Sequence, residues 1–118
     1  MKVSGVDATF YRCTDLDRAT KFYTELFGVA PTTAFPQVVS EWTFAGGESF
    51  GIYKGDEFKA SDGVMFHVPD VNAAAAELRK SGVTVHEHVE ETPVCHMAFG
   101  TDSEGNGFIL HRRKDATA

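Results

Sequence analysis

The sequence predicts an α+β fold in which two tandem βαβββ modules form one domain of 118 residues. A short pattern occurs twice, because residues 10–16 match residues 65–71 position by position: a β-like run, a turn residue, an aspartate and the start of a helix. Each copy continues into an amphipathic helical segment that ends at a glycine. Three strand-like runs follow each helix, which gives the order βαβββ-βαβββ.

The helices are predicted from apolar residues at helical spacing over residues 15–27 and 70–81. At the first helix, Thr14 together with Asp17 resembles a capping box, and at the second helix Asp70 is a natural N-cap. The two helices therefore begin at matching positions of the repeat.

The strands are predicted from apolar runs separated by turn residues. These runs are residues 32–35, 38–45 and 48–54 in the first module and 83–90, 94–101 and 107–112 in the second. Gly46-Gly47 is typical of a two-residue hairpin turn. Residues 55–62 predict a linker, so the modules are expected at about residues 1–55 and 62–114.

Composition and charge exclude several classes of function. The formal net charge of −6 argues against a phosphate-binding surface, so no nucleic-acid partner is expected. No apolar run is long enough for a signal peptide or a membrane span. Cys13 and Cys95 form neither a metal-type spacing nor a disulfide framework, which favours a reducing cytoplasm.

Three motifs resemble those of a known family. Residues 14–28 are similar to the signature D-L-x-x-A-x-x-F-Y-x-x-x-L-G, residues 68–71 to V-x-D-V, and residues 102–106 to the turn D-P-D-G-N. In this order they resemble the vicinal-oxygen-chelate superfamily of glyoxalases, bleomycin-resistance proteins and dioxygenases. The resemblance implies curled mixed sheets around a cavity, with the helices outside, and a homodimer. Whether the cavity forms within one chain or between modules exchanged by two chains stays open.

Metal-dependent members of that family place His and Glu ligands on the first and last strands of each module. Counted from the aligned motifs, these positions fall on Ala8, Gly51, Gly63 and Ile109. None of these side chains can ligate a metal. The resemblance therefore carries the fold but implies no metal and no other cofactor.

Strand periodicity then predicts which residues face the cavity, because side chains two positions apart share a face of the sheet. Counting from the family's ligand positions places five candidate ligand-binding residues inward: Phe10, Arg12, Met65, His67 and His111. Arg12 and the two histidines are the polar members of the set. The alternative is that these three lie solvated at the rim without a role.

Two further candidates depend on the hairpin. If Gly46-Gly47 is a two-residue turn, Trp42 pairs with Gly51 and lies on the cavity face together with Tyr53, while Glu41 lies on the opposite face. The alternative is that Trp42 packs in the core under the first helix, as a shift of one residue in the register would require. His86 and His88 are predicted to share one face of an edge strand, which is a weaker candidate for a metal site.

These observations predict a ligand-binding protein that lacks the family's metal ligands and holds a small, partly aromatic or anionic molecule in its cavity. Two alternatives stay open. One is a metal-independent isomerase or lyase that uses His67 and His111 as acid and base, with Arg12 holding an anionic group of the substrate. The other is a metal-dependent lyase or dioxygenase with relocated ligands, such as the two histidines and a carboxylate.

Overall fold

The computed structural model describes residues 1–2, 4–57 and 63–115, and it divides the chain into two units, Met1–Ala60 and Ser61–Ala118. In the described part of each unit, one helix packs on one face of a mixed sheet. Most of the predicted linker, residues 55–62, lies outside the described residues. The predicted α+β fold is confirmed: the first half has the order βαβββ, and the second half has the same order except that its first strand after the helix is divided in two.

Over its described residues, the first unit is a four-stranded sheet with a single helix. Its elements are β1 (Ala8–Cys13), α1 (Leu16–Phe27), β2 (Thr33–Phe35), β3 (Val39–Thr43) and β4 (Ser49–Lys54). The strands lie in the order β1-β4-β3-β2. The pair β1–β4 is parallel, and the other two pairs are antiparallel.

The second unit repeats this topology with a divided edge strand. Its elements are β5 (Val64–His67), α2 (Val71–Lys80), β6 (Thr84–Val85), β7 (Glu90–Glu91), β8 (Cys95–Thr101) and β9 (Gly107–Arg113). The order is β5-β9-β8-β6, and β7 also pairs with β8. The pair β5–β9 is parallel, as is its counterpart β1–β4 in the first unit.

The helices begin at equivalent aspartates. Asp70 caps α2 as predicted, and its carboxylate accepts a hydrogen bond from the backbone N–H of Ala73 at 3.0 Å. At α1 the predicted cap, Thr14, is wrong, because Asp15 is the N-cap and accepts from the N–H of Arg18 at 3.0 Å. An aspartate binds the orphan N–H groups at least as well as a threonine does.

The β3–β4 hairpin differs from its predicted register by one residue. Phe44 donates its N–H to the carbonyl of Glu48, which leaves a three-residue loop, and Gly47 has a left-handed φ of 95° within that loop. Three-residue hairpins take a glycine at this position. Trp42 consequently lies opposite Phe50, and the predicted pairing of Trp42 with Gly51 is wrong.

The predicted strand over residues 83–90 is also wrong in its middle, since residues 86–89 are not in a strand. Arg79 on α2 donates from Nε to the carbonyl of Val85 at 3.3 Å and from Nη2 to the carbonyl of His86. This side chain ties the end of β6 to the helix where regular pairing stops. His86 and His88 are therefore not in a strand, and the shared strand face from which a metal site was suggested for them is absent.

Each sheet has one face covered by its helix and one face turned away from it, here called the open face. In the first sheet the covered face carries Tyr11, Trp42 and Phe50, which are buried against α1. In the second, Phe108 and Leu110 are buried on the covered side. Among the described residues, no helix is both long and apolar enough to cross a bilayer.

Candidate functional site

The four positions that the sequence motifs align with the family's metal ligands, Ala8, Gly51, Gly63 and Ile109, carry no donor side chains. In the first unit, the Phe10 ring covers Gly51 so closely that a Cβ added there would lie 2.3 Å from it. In the second, a Cβ added to Gly63 would lie 3.4 Å from Cδ1 of Ile109. Within residues 1–2, 4–57 and 63–115, no three His, Cys, Asp or Glu side chains form a group that could hold a metal ion.

Arg12 and Tyr53 form a polar pair on the open face of the first sheet. They are directly opposed on β1 and β4, and Nε of Arg12 donates a hydrogen bond to the Tyr53 hydroxyl at 3.2 Å. The guanidinium carbon also lies 5.7 Å from the centroid of the Tyr53 ring, within cation–π range. The hydrogen bond to Tyr53 raises the pKa of Arg12 above its ordinary value, and a guanidinium is already fully charged at neutral pH.

A glycine leaves room for the Arg12 side chain. A Cβ added to Gly55 would lie 2.7 Å from Cδ of Arg12, closer than carbon atoms approach without strain. The backbone N–H of Gly55 in turn donates to the carbonyl of Cys13 at 2.8 Å. The aliphatic stem of Arg12 therefore lies against the chain just beyond β4, and the guanidinium is directed toward Tyr53.

Aromatic and apolar side chains surround this pair. Phe10 is 40% exposed and Tyr53 is 37% exposed, although both lie within sheet strands. The row that contains Arg12 and Tyr53 continues through Val39 on β3 to Phe35 on β2. The open face thus combines one cation with a patch of accessible rings.

Glu41 joins this face, although the sequence placed it on the other one. It lies opposite Gly51, in the row that also contains Phe10. The one-residue change in hairpin register that moves Trp42 into the core moves Glu41 out of it, since neighbouring residues on a strand point to opposite faces. The signal that could have found it is Gly47, at the position of a three-residue hairpin where glycine is required.

Trp42 is the candidate that the structure removes from the open face. Its side chain is 1% exposed, and its indole Nε1 donates to the carbonyl of Val29 at 2.9 Å. Its ring contacts those of Tyr23 and Phe27 on α1. Trp42 is therefore part of the core under the helix, which is the alternative that the sequence left open.

The remaining candidates lie together on the open face of the second sheet. His67 on β5 is directly opposed to His111 on β9, and Met65 is opposed to Ile109 two residues earlier on each strand. His67 and Met65 are exposed, and His111 is half-buried. Alternation along each strand, counted from Asp70 for β5 and from Ile109 for β9, predicts that these side chains share a face, and whether that face binds a ligand stays a prediction.

Two surface hollows lie elsewhere. One, of about 480 Å³, is formed by the N-terminal segment and the β3–β4 turn, and it includes Lys2, Asp7 and Glu48. The other, of about 230 Å³, lies at the start of α2 and includes His96 and Arg112. Neither contains a residue that the sequence predicts to bind ligand.

Comparison with known proteins identifies the family. Residues 5–110 match the family model described as the Glyoxalase/Bleomycin resistance protein/Dioxygenase superfamily. No match to this chain is found among curated protein sequences. The family match covers both units and all of their strands up to Leu110.

Solved structures show the same fold at low sequence identity. A glyoxalase/bleomycin resistance protein from Catenulispora acidiphila is 17% identical, with a TM-score of 0.72 over 91% of this chain and 97% of that chain. A lactoylglutathione lyase from Agrobacterium tumefaciens is 18% identical, with a TM-score of 0.76 over 93% and 94%. The oxidase ChaP-H2 is 15% identical, with a TM-score of 0.76 over 96% and 95%. Likeness at this level of identity shows the fold alone.

Proposed function

The chain belongs to the glyoxalase/bleomycin resistance protein/dioxygenase superfamily, and on that premise we propose that it binds a small aromatic molecule with an anionic group. The proposed site is the open face of the first unit, and it uses no metal ion at the family's ligand positions. The observation that carries the proposal is the Arg12–Tyr53 pair, a charged group held in place beside accessible rings.

The chemistry of this face favours such a ligand over a neutral or cationic one. A guanidinium presents planar N–H donors that match a carboxylate, and the bond from Nε to Tyr53 fixes the plane of the group. The accessible rings of Phe10 and Tyr53 offer π-faces on which an aromatic ligand stacks. Glu41 lies on the same face, and its carboxylate disfavours a second negative group near its own row.

A panel of three probe molecules tests separately whether the site requires the negative charge and the aromatic ring of the ligand. We expect 1-naphthoate to raise the melting temperature, because a ligand that binds only the native state stabilises it by mass action. Naphthalene-1-carboxamide lacks the charge, and cyclohexanecarboxylate lacks the π-face, so each should give a smaller shift at equal concentration. No shift with any aromatic carboxylate would overturn the proposal.

Substitution of Arg12 then locates the site. We expect Arg12→Ala to weaken binding of the naphthoate by about 10- to 150-fold, which corresponds to the ~1.5–3 kcal/mol typical of a hydrogen bond to a charged group. Isothermal titration measures this affinity, and thermal unfolding of the free variant shows that folding is retained.

Arg18→Ala is the matched control, because it removes the same charge from the exposed surface of α1 in the same unit. Its affinity should stay within about threefold of the parent protein, as expected for a distant surface charge. Equal losses in the two variants would show that net charge alone attracts the ligand. If the affinity of Arg12→Ala is unchanged, Arg12 is a solvated residue at the rim that does not contribute to binding.

The homodimer stays a prediction of the family resemblance. Sedimentation velocity at two protein concentrations measures the mass of the species in solution. Ligand titration of the same samples shows whether binding depends on assembly.

A further inference from the structure

The second unit carries a row of metal-ligating side chains that the proposed function does not use. His67 on β5 is opposed to His111 on β9, and His111 is opposed to Met97 on β8. The three residues thus occupy the same level of three adjacent strands. They lie on the open face, since Phe66, Leu110 and Ala98, which alternate with them, lie on the side covered by α2.

The spacing of the row suits a single metal ion. Neighbouring strands of a sheet lie about 4.7–4.9 Å apart, so residues at the same level of adjacent strands are close neighbours on their shared face. Imidazole nitrogens bind metals at about 2.0–2.1 Å, so two neighbouring histidines on one face can converge on one ion. His111 is the central member of the row, and the flexible thioether of Met97 can turn toward it from the third strand.

The donor types select the metal. Thioether is a soft ligand that favours Cu(I), and imidazole is a ligand of both copper and zinc. Zinc sites use Cys, His, Asp and Glu, and a third donor of those types is not grouped with the two histidines in the described residues. From this row we propose that His67, His111 and Met97 form a Cu(I) site on the open face of the second unit.

This site is separate from the positions at which metal-dependent relatives hold their ion. In this unit those positions align with Gly63 and Ile109, and a Cβ on Gly63 would lie 3.4 Å from Cδ1 of Ile109. His67 and His111 lie further along the same two strands. The proposed metal site therefore lies further along the sheet, at the pair His67–His111, where β5 and β9 each carry an imidazole.

Competition with a chromophoric Cu(I) chelator under anaerobic, reducing conditions tests the site on the whole protein. We expect one equivalent of Cu(I) to bind and to bind more tightly than Zn(II). His111→Ala removes one imidazole and Met97→Leu removes the thioether. Each variant should bind Cu(I) at least about tenfold more weakly than the parent protein, which corresponds to ~1.4 kcal/mol. Zn(II) binding should respond to His111→Ala but not to Met97→Leu.

Met65→Leu is the matched control, because it makes the same chemical change on the same face, two residues from His67 along β5. Its Cu(I) affinity should stay within about threefold of the parent protein, a difference well under ~1 kcal/mol. If Met65→Leu and Met97→Leu weaken binding equally, or if Met97→Leu lowers Zn(II) affinity as much as Cu(I) affinity, the assignment of Met97 is wrong. Tighter binding of Zn(II) than of Cu(I) would overturn the proposal.

Cys95 is the competing soft ligand on the same strand. It lies two residues before Met97 and is buried, with its thiol 3.2 Å from Oγ1 of Thr92. Cys95→Ala should keep Cu(I) affinity if the row is the site. If Cys95→Ala abolishes binding while His111→Ala does not, the ion is held by the thiol and the proposal fails. Urea unfolding of each metal-free variant separates loss of a ligand from loss of fold.

Discussion

Replacement of Trp42 by alanine is expected to lower the free energy of unfolding by about 3–5 kcal/mol, the usual cost of removing a fully buried Trp side chain. The indole is enclosed by Tyr23, Phe27 and Phe50, and its ring centroids lie 5.3–6.3 Å from theirs. Its N–H also satisfies the carbonyl of Val29. The surrounding rings belong to both α1 and the sheet, so the void cannot close without moving one of them.

Urea unfolding followed by far-ultraviolet circular dichroism measures this change, and it should appear in the midpoint with little change in the slope. Trp42→Phe keeps most of the volume and should cost less than the alanine variant. Phe35→Ala removes an aromatic that is mostly exposed on the first sheet and should stay within about 0.5 kcal/mol of the parent protein. A cost below about 1 kcal/mol for Trp42→Ala would contradict its place in the core.

The burial of Trp42 also determines whether its fluorescence emission changes when a ligand binds. Trp42 lies on the covered side of the sheet, whereas Arg12 and Tyr53 lie on the open side. Its emission should therefore follow unfolding and respond little to binding at the open face. A large change in emission on addition of an aromatic carboxylate would place the ligand in the core beside α1.

The features predicted correctly from the sequence are those fixed within a short stretch of chain. The helices follow from apolar spacing, and the predicted cap of the second helix, Asp70, directly precedes its first helical residue. Alternation along one strand from a nearby reference was also enough to place Arg12, His67 and His111 on the sheet face away from the helices, and a role in ligand binding stays a prediction. Each of these inferences uses contacts between residues close in sequence.

The errors concern pairing between segments. The faces of Trp42 and Glu41 depend on whether the hairpin loop has two or three residues, and Gly46-Gly47 is compatible with both. A single residue of difference reverses every side chain on β3. The break in the predicted edge strand depends on Arg79, which reaches from α2 to the end of β6. Neither outcome is determined by the local pattern of hydrophobic residues.

The turn over residues 102–106 is the family motif whose role the structure makes clear. The Asp102 carboxylate accepts from the backbone N–H groups of Glu104 and Asn106, both at 2.8 Å, and from the Asn106 side-chain amide at 3.2 Å. Asp102 is 6% exposed and Asn106 is fully buried. These residues close the turn between β8 and β9 and thereby set the register of the strands that carry Met97 and His111.

Asp102→Ala is therefore expected to lower the free energy of unfolding by about 3–5 kcal/mol, because it leaves several donors unpaired and each orphaned buried group costs ~1–3 kcal/mol. Asp102→Asn keeps an acceptor oxygen and should cost less. Ser103→Ala is the matched control in the same turn. Ser103 is exposed, and within this loop its hydroxyl bonds to the carboxylate of the neighbouring Glu104. Ser103→Ala should therefore change the free energy of unfolding by less than about 0.5 kcal/mol.

A double-mutant cycle decides whether Asp102 acts through Asn106 or through the backbone alone. If the amide of Asn106 is the main partner, Asp102→Ala and Asn106→Ala will be strongly non-additive, with a coupling of about 1–3 kcal/mol. Additive losses would mean that the two backbone N–H groups carry the effect.

In either case the Met97→Leu variant keeps the turn, and its free energy of unfolding should stay closer to that of the parent protein than the free energy of unfolding of Asp102→Ala. The turn lies at the opposite end of β9 from His111, so Asp102 can affect Cu(I) binding only by changing the register of the strands that carry His111 and Met97. If Asp102→Ala lost Cu(I) binding but kept its stability, a purely structural role for Asp102 would be contradicted.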